Sequence, residues 1–144
     1  KRCMNTLLKI SIIILLLLFT VPGSAENETP PAMIDHSIVT PLREELTRKY
    51  ALVHYGIDSF TMKDPKIIVV HYTVTHDLRE TLNMFSPDTL RNSRPDIAGG
   101  GDLNVGVHFT IDKQGKIYSL MPLTMMGRHT IGFNHLSIGI ELSE

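Results

Sequence analysis

An α/β domain with a mixed central β-sheet flanked by helices is the fold class the sequence predicts. Three observations point to it. Two segments, after Thr40 and after Asp77, carry apolar residues at helical spacing. Ile67-Ile68-Val69-Val70-His71 is a short β-branched run, and Val105 to Ile111 and Ser137 to Leu142 alternate in polarity. The resulting order of helix, strand, helix, hairpin and strand packs most economically as helices on a sheet.

The chain has 144 residues, which suits one domain plus a leader. Hydrophobic residues make up 42% and charged residues 20%, so disordered and collagen-like architectures are excluded. Lys plus Arg total 14 against 15 for Asp plus Glu, which leaves no basic footprint for nucleic acid. Cys3 is the single cysteine, so neither a disulfide framework nor a Cys-rich zinc module can form. The chain starts at Lys1 and stops at Glu144 directly after an apolar strand pattern, and is expected to be a fragment at both ends.

Residues 1–25 read as a signal peptide. Lys1, Arg2 and Lys9 form a basic start, Ile10 to Val21 an apolar run, and Pro22-Gly23-Ser24-Ala25 a small-residue cleavage site after Ala25. The apolar run is too short for a bilayer, which takes about 20 residues, so no stable membrane span is expected after cleavage; an uncleaved short anchor is the alternative. Cys3 precedes the apolar run, which does not support lipid attachment. An exported location follows: periplasmic, cell-wall-associated or secreted. All seven histidines fall after the leader.

Residues 26–39 hold Pro30-Pro31 without periodicity and read as a linker, leaving 40–144 as the domain. Thr40 offers an N-cap with Pro41 at the first helical position; Leu42, Leu46, Tyr50 and Val53 form the expected apolar stripe, and Gly56 ends the helix. Glu44 with Arg48, and Glu45 with Lys49, have the spacing of helical ion pairs. Ile67 to His71 reads as a strand buried on both faces, and so as a central strand. Asp77 to Glu80 has capping-box spacing, followed by Leu78, Leu82 and Phe85 on one face. Pro87, Pro95 and Gly99-Gly100-Gly101 mark an irregular loop. Val105, Val107, Phe109 and Ile111 should line the buried side of a hairpin that turns at Asp112-Lys113-Gln114-Gly115 and returns over Lys116 to Met121. On the last strand Ile138, Ile140 and Leu142 face one way, and Ser137, Gly139 and Glu141 the other.

His71, at the carboxyl end of the most apolar strand, reads either as a metal ligand or as a strand-end histidine bonded to a loop. Glu141 is a carboxylate within an apolar strand. It is either buried beside the small Gly139, where it needs a partner or a use, or pointed to solvent from an edge strand. His71 and His76 miss the i,i+4 spacing of a helical two-histidine motif by one residue. His108 lies either on the wet face or on a face lining a groove. The glycine triplet lacks the Lys-Ser/Thr of a phosphate loop.

Four pieces in order, over Ile67 to Glu144, resemble the zinc-dependent N-acetylmuramoyl-L-alanine amidase family, whose fold is shared with peptidoglycan recognition proteins. Ile68-Val69-Val70-His71-Tyr72-Thr73 resembles the strand bearing the first zinc histidine. Val107 to Tyr118 resembles the family's hairpin with its Asp-x-x-Gly turn. Gly127-Arg128-His129-Thr130 resembles the Trp-His-Ala-Gly segment, with Arg and Thr replacing Trp and Ala. Asn134 to Leu142 resembles the Asn-x-x-Ser-Ile-Gly-Ile-Glu strand. Val107 stands where some relatives carry Tyr, which fits the branch using the glutamate.

The resemblance implies Zn2+ as cofactor, His71 as a zinc ligand, Glu141 as catalytic acid/base, and His129 and Tyr72 as substrate contacts. It implies hydrolysis of the amide between N-acetylmuramic acid and L-alanine in peptidoglycan. The remaining zinc ligands are expected beyond residue 144, so the domain is expected to be incomplete at its C-terminus. The 144-residue chain should then bind zinc poorly and be inactive, unlike its full-length parent. A non-catalytic peptidoglycan-binding module of the same fold is the alternative, and another small metallohydrolase a second.

Overall fold

A computed structural model describes residues 29–72, 75–91 and 94–143. The expected signal peptide, residues 1–25, lies outside the described residues. From Pro31 onward the chain forms one compact unit. In order its elements are β1 (Met33–Asp35), α1 (Pro41–Tyr55), β2 (Ile67–Tyr72), α2 (Leu78–Phe85), α3 (Pro95–Ala98), β3 (Phe109–Ile111), β4 (Ile117–Ser119), a 3₁₀ turn (Asn134–Leu136) and β5 (Ser137–Leu142). Among the described residues no helix is long and apolar enough to cross a membrane.

The five strands form one mixed sheet in the order β1-β4-β3-β5-β2. Only β3 and β4 are antiparallel; β1 with β4, β3 with β5, and β5 with β2 run parallel. The expected α/β class and mixed sheet are therefore observed. Met33–Asp35 corrects the reading of 26–39 as linker throughout. These three residues become a strand only by pairing with Ile117–Ser119, a tertiary contact that leaves no local pattern.

The helix caps follow the sequence closely. The Thr40 side chain accepts a hydrogen bond from Arg43 N–H, and Gly56 closes α1 at φ 69°, a left-handed conformation that favours glycine. Asp77 accepts from Glu80 N–H, while the Glu80 carboxylate reaches back to His76 N–H. In the hairpin, the Asp112 carboxylate accepts from Gln114 and Lys116 N–H, and Gly115 sits at φ 78°.

The buried stripe of α1 differs from expectation. Arg43, Thr47 and Ala51 face inward, whereas Leu42 and Val53 are exposed. Arg43 donates to the Phe85 and Pro87 carbonyls and pairs with Asp88, so a polar bracket decides the helix rotation. On its wet side Glu45 pairs with Arg48 and Lys49, and Arg48 reaches Asp58.

Strand β2 lies at the sheet edge, which corrects its reading as a central strand. Ile68, Val70 and Tyr72 are exposed. The facing expected for the hairpin is inverted on β3, where Thr110 is buried and Phe109 and Ile111 are half-buried; on β5 Ser137, Ile138, Gly139 and Glu141 are buried and Leu142 is exposed. The hydrophobic cluster of Ile38, Phe85, Val107, Leu120, Met121 and Met125 packs against Tyr118, which is in register with Thr110. Pleat alternation therefore sets this cluster on the Glu141 side of the sheet. The opposite face carries an apolar row across all five strands, Met33, Ile117, Ile111, Leu142 and Tyr72. The hairpin strands are shorter than predicted because the His108 carbonyl accepts from both Leu120 and Met121 N–H, a bulge-like distortion that ends regular pairing.

Candidate active site

His71 and Glu141 are direct register partners on the parallel strands β2 and β5. Partners in a parallel pair share a face, and adjacent strands lie about 4.8 Å apart. The strand alternation that buries Ser137 and Gly139 also buries Glu141, which is 6% exposed. Being an inner strand, β5 removes the edge-strand alternative in which Glu141 points to solvent. Thr110 on β3 is in register with Glu141 from the other side and donates its hydroxyl to the Glu141 carbonyl at 3.2 Å.

His129 enters from the loop before the 3₁₀ turn and lies over Gly139. A Cβ at position 139 would stand 2.8 Å from His129 Cγ and 2.9 Å from Nδ1, so the ring's position requires glycine there. His129 Nδ1 is 3.0 Å from His71 Nε2, with the two rings nearly perpendicular at 83°. The protons can be assigned from the network. Ser137 Oγ donates to the Phe133 carbonyl at 2.8 Å, so toward His129 Nε2, 3.3 Å away, it must accept. His129 then carries its proton on Nε2, and His71 donates from Nε2 to His129 Nδ1. Among the described residues the Nδ1 lone pair of His71 is left for another partner.

His108 is fully buried and spent on structure. Its Nε2–H donates to the Met125 carbonyl at 2.9 Å, and its Nδ1 accepts from Gly139 N–H at 3.0 Å. This settles the open reading of His108 on the buried face, with both ring nitrogens used. Asn134 is also fully buried. Its Oδ1 accepts from His129 N–H at 2.9 Å and Thr130 N–H at 2.8 Å, and its amide donates to the Tyr50 hydroxyl at 3.1 Å.

The electrostatics follow from burial. Glu141 is pushed up from 4.5 to about 7 because burial disfavours its charged form. His129 is pushed down to about 4, chiefly by burial and further by the neighbouring His71 and His108. Burial also lowers His71 and His108. At neutral pH the site thus holds neutral imidazoles beside a carboxyl group populated in both protonation states. Such a group can take and return a proton.

Tyr72 is not brought to this site. It follows His71 in sequence, but the pleat sends it to the opposite sheet face, where it is 62% exposed. Its expected role as a substrate contact is therefore not one it could share with His71 on the same sheet face. His129, in contrast, lines a cavity of about 620 Å³ together with Tyr50, His54, Ile97, Arg128 and Ile131. Sequence reasoning did not single out Arg128 or Asn134 as site-builders. Asn134 carried a signal, as the buried amide just before a strand whose motif had been noted.

Residues 61–144 match the family described as N-acetylmuramoyl-L-alanine amidase. Nothing among curated proteins matches the chain. Among solved structures, the N-acetylmuramoyl-L-alanine amidase LysC from Clostridium intestinale URNW is 22% identical, with a TM-score of 0.41 over 78% of this chain and 59% of that one. An AmpD derivative is 26% identical, with a TM-score of 0.42 over 57% and 52%. PGRP-Hd from Alvinella pompejana is 16% identical, with a TM-score of 0.48 over 80% and 65%. The chain thus spans between about half and two thirds of the length of these structures. With the family match covering more than half of its residues and including both His71 and Glu141, the chain belongs to the N-acetylmuramoyl-L-alanine amidase family.

Proposed function

We propose that the protein hydrolyses the amide bond joining N-acetylmuramic acid to the L-alanine of the peptidoglycan stem peptide, with Glu141 as general acid/base. The observation that carries this reading is the register pairing of His71 with a buried Glu141 whose carboxyl is pushed to about 7. As carboxylate, Glu141 accepts a proton from the attacking water, and as acid it returns one to the departing L-alanine amine. The C–N bond breaks, leaving a carboxylate on the lactyl group and a free amine on the peptide. A group of this acidity performs both transfers near neutral pH, a contribution of about 10²–10⁴ in rate. His129, held by Gly139, Asn134 and Ser137, stands between His71 and the cavity and serves as a substrate contact.

Zinc belongs to this reading through His71, whose Nδ1 has no hydrogen-bond partner among the described residues and whose Nε2–H bonds to His129, the form of a ligand oriented by a second partner. A bound zinc ion supplies Lewis acidity toward the scissile carbonyl and makes its water more acidic. A catalytic site takes about three protein ligands. Among the described residues no group of three His, Cys, Asp or Glu could hold a metal. His71 is therefore one ligand of a set these residues do not complete, and no step is routed through the ion. Export of the protein by residues 1–25 to the periplasm, cell wall or medium is part of the same reading.

The alternative reading is a peptidoglycan-binding module of the same fold that does not cut. Incubating the full-length protein with purified peptidoglycan and analysing the soluble products by mass spectrometry separates the two. Free stem peptides with an L-alanine amino terminus support hydrolysis. Binding without release supports the module, and neither removes both.

A further inference from the structure

The cavity lined by His129 is also lined by Ile97, Gly99 and Gly100, which open the segment Ile97 to Leu103 and include part of the glycine triplet left without a role by the sequence. One side chain holds it. Arg128 is buried, 7% exposed, and donates from Nη1 to the Gly101 carbonyl at 2.9 Å and the Leu103 carbonyl at 2.5 Å, and from Nη2 to the Ile97 carbonyl at 2.5 Å. The guanidinium also sits over the Tyr50 ring, 5.2 Å from its centroid. Gly100 makes this approach feasible, since a Cβ there would lie 2.6 Å from Arg128 Nη2. The clasp is continuous with the site: His129 is the next residue, and the Asn134 that holds His129 N–H also donates to the Tyr50 hydroxyl.

A buried cation beside a cavity could instead be a hook for an anionic ligand. The hydrogen bonds argue otherwise. Three carbonyls already take donors from both terminal nitrogens, in a fork that a point charge cannot reproduce. We propose that Arg128 is a positioning residue, tying the Ile97, Gly101 and Leu103 carbonyls so that the cavity wall at Ile97, Gly99 and Gly100 holds substrate against His129. The substrate part of this statement rests on the amidase reading; the clasp itself does not.

The test compares the full-length wild type with Arg128→Met, Arg128→Lys, Gly100→Ala and the Arg128→Met/Gly100→Ala double variant. Hydrogen exchange at the Gly100 and Gly101 amides reads the clasp, and kinetics on peptidoglycan fragments read its use. Arg128→Met and Gly100→Ala should each speed exchange and raise KM about tenfold with kcat little changed, and the double variant should add nothing further. Gly100→Ala leaves Arg128 in the chain, so it keeps the test valid if Arg128→Met fails to fold. Unchanged exchange in both single variants overturns the clasp. Faster exchange with unchanged KM overturns the positioning role. Wild-type KM in Arg128→Lys overturns it in favour of charge alone. An inert wild type overturns the amidase reading and the substrate half of this one, while exchange still decides the clasp.

Discussion

Replacing Glu141 by Gln keeps the side chain's shape and removes its proton equilibrium, and the consequence for stability can be worked out from the site. The carboxyl moves from 4.5 to about 7 on burial, so the fold holds this proton more tightly than the unfolded chain does. Its contribution to stability is complete below 4.5 and is lost as pH rises through about 7, amounting to about 3 kcal/mol. His129 acts with the opposite sign. Held neutral with its value lowered from 6.5 to about 4, it contributes stability above 6.5 that is lost as pH falls toward 4. The two windows overlap, so the wild type should show a flattened profile between them, and Glu141→Gln should expose the histidine slope. Urea unfolding of both proteins in chelator, at intervals across about pH 4 to 8, measures the difference directly. Wild type should lose about 3 kcal/mol relative to the Gln variant across that range. A difference independent of pH would refute the claim that burial raises the Glu141 carboxyl to about 7.

Gly139→Ala should destabilise the fold by about 1–3 kcal/mol through overpacking against His129 and should separate His129 from His71, seen as altered imidazole NMR signals for both. Asn134→Ala leaves the His129 and Thr130 N–H groups without their acceptor and should cost about 2–3 kcal/mol in thermal or urea unfolding. Ile138→Ala, on the inner strand β5 and 8% exposed, should cost about 2–5 kcal/mol, whereas Ile68→Ala on the open face of β2, 67% exposed, should cost less than about 1 kcal/mol. Equal costs would contradict the sheet order.

Features set by local chemistry were legible in the sequence. Thr40, Gly56, Asp77 and the Asp112–Gly115 turn act through bonds a few residues long, and each is observed as read. Glu141 was legible as an anomaly, a carboxylate in an apolar strand, and its burial beside Gly139 follows from the same alternation. Facing was not legible. Ile67 to Tyr72 is as apolar as a central strand, but hydrophobicity alone does not say which neighbour arrives, and among the described residues β2 pairs with β5 alone. On β5 and β3 the polar-looking side is the covered one, because His129, His108 and the methionine-rich cluster pack there and satisfy it. The rotation of α1 and the loop clasp depend on Arg43 and Arg128 bonding to carbonyls tens of residues away in sequence. Periodicity carries no trace of such side-chain-to-backbone brackets. Tyr72 falls on the face opposite His71 because neighbours along a strand occupy opposite faces.

The central claim is that one strand's imidazole and its neighbour's carboxyl form a hydrolytic pair. Rates of stem-peptide release from purified peptidoglycan by the full-length protein, its Glu141→Gln and its His71→Ala forms test this directly, with peptidoglycan binding followed in parallel. Release by the Gln form should fall about 10²–10⁴-fold with binding retained, and the His71 form should be comparably impaired. Release at the wild-type rate by either variant would contradict the account.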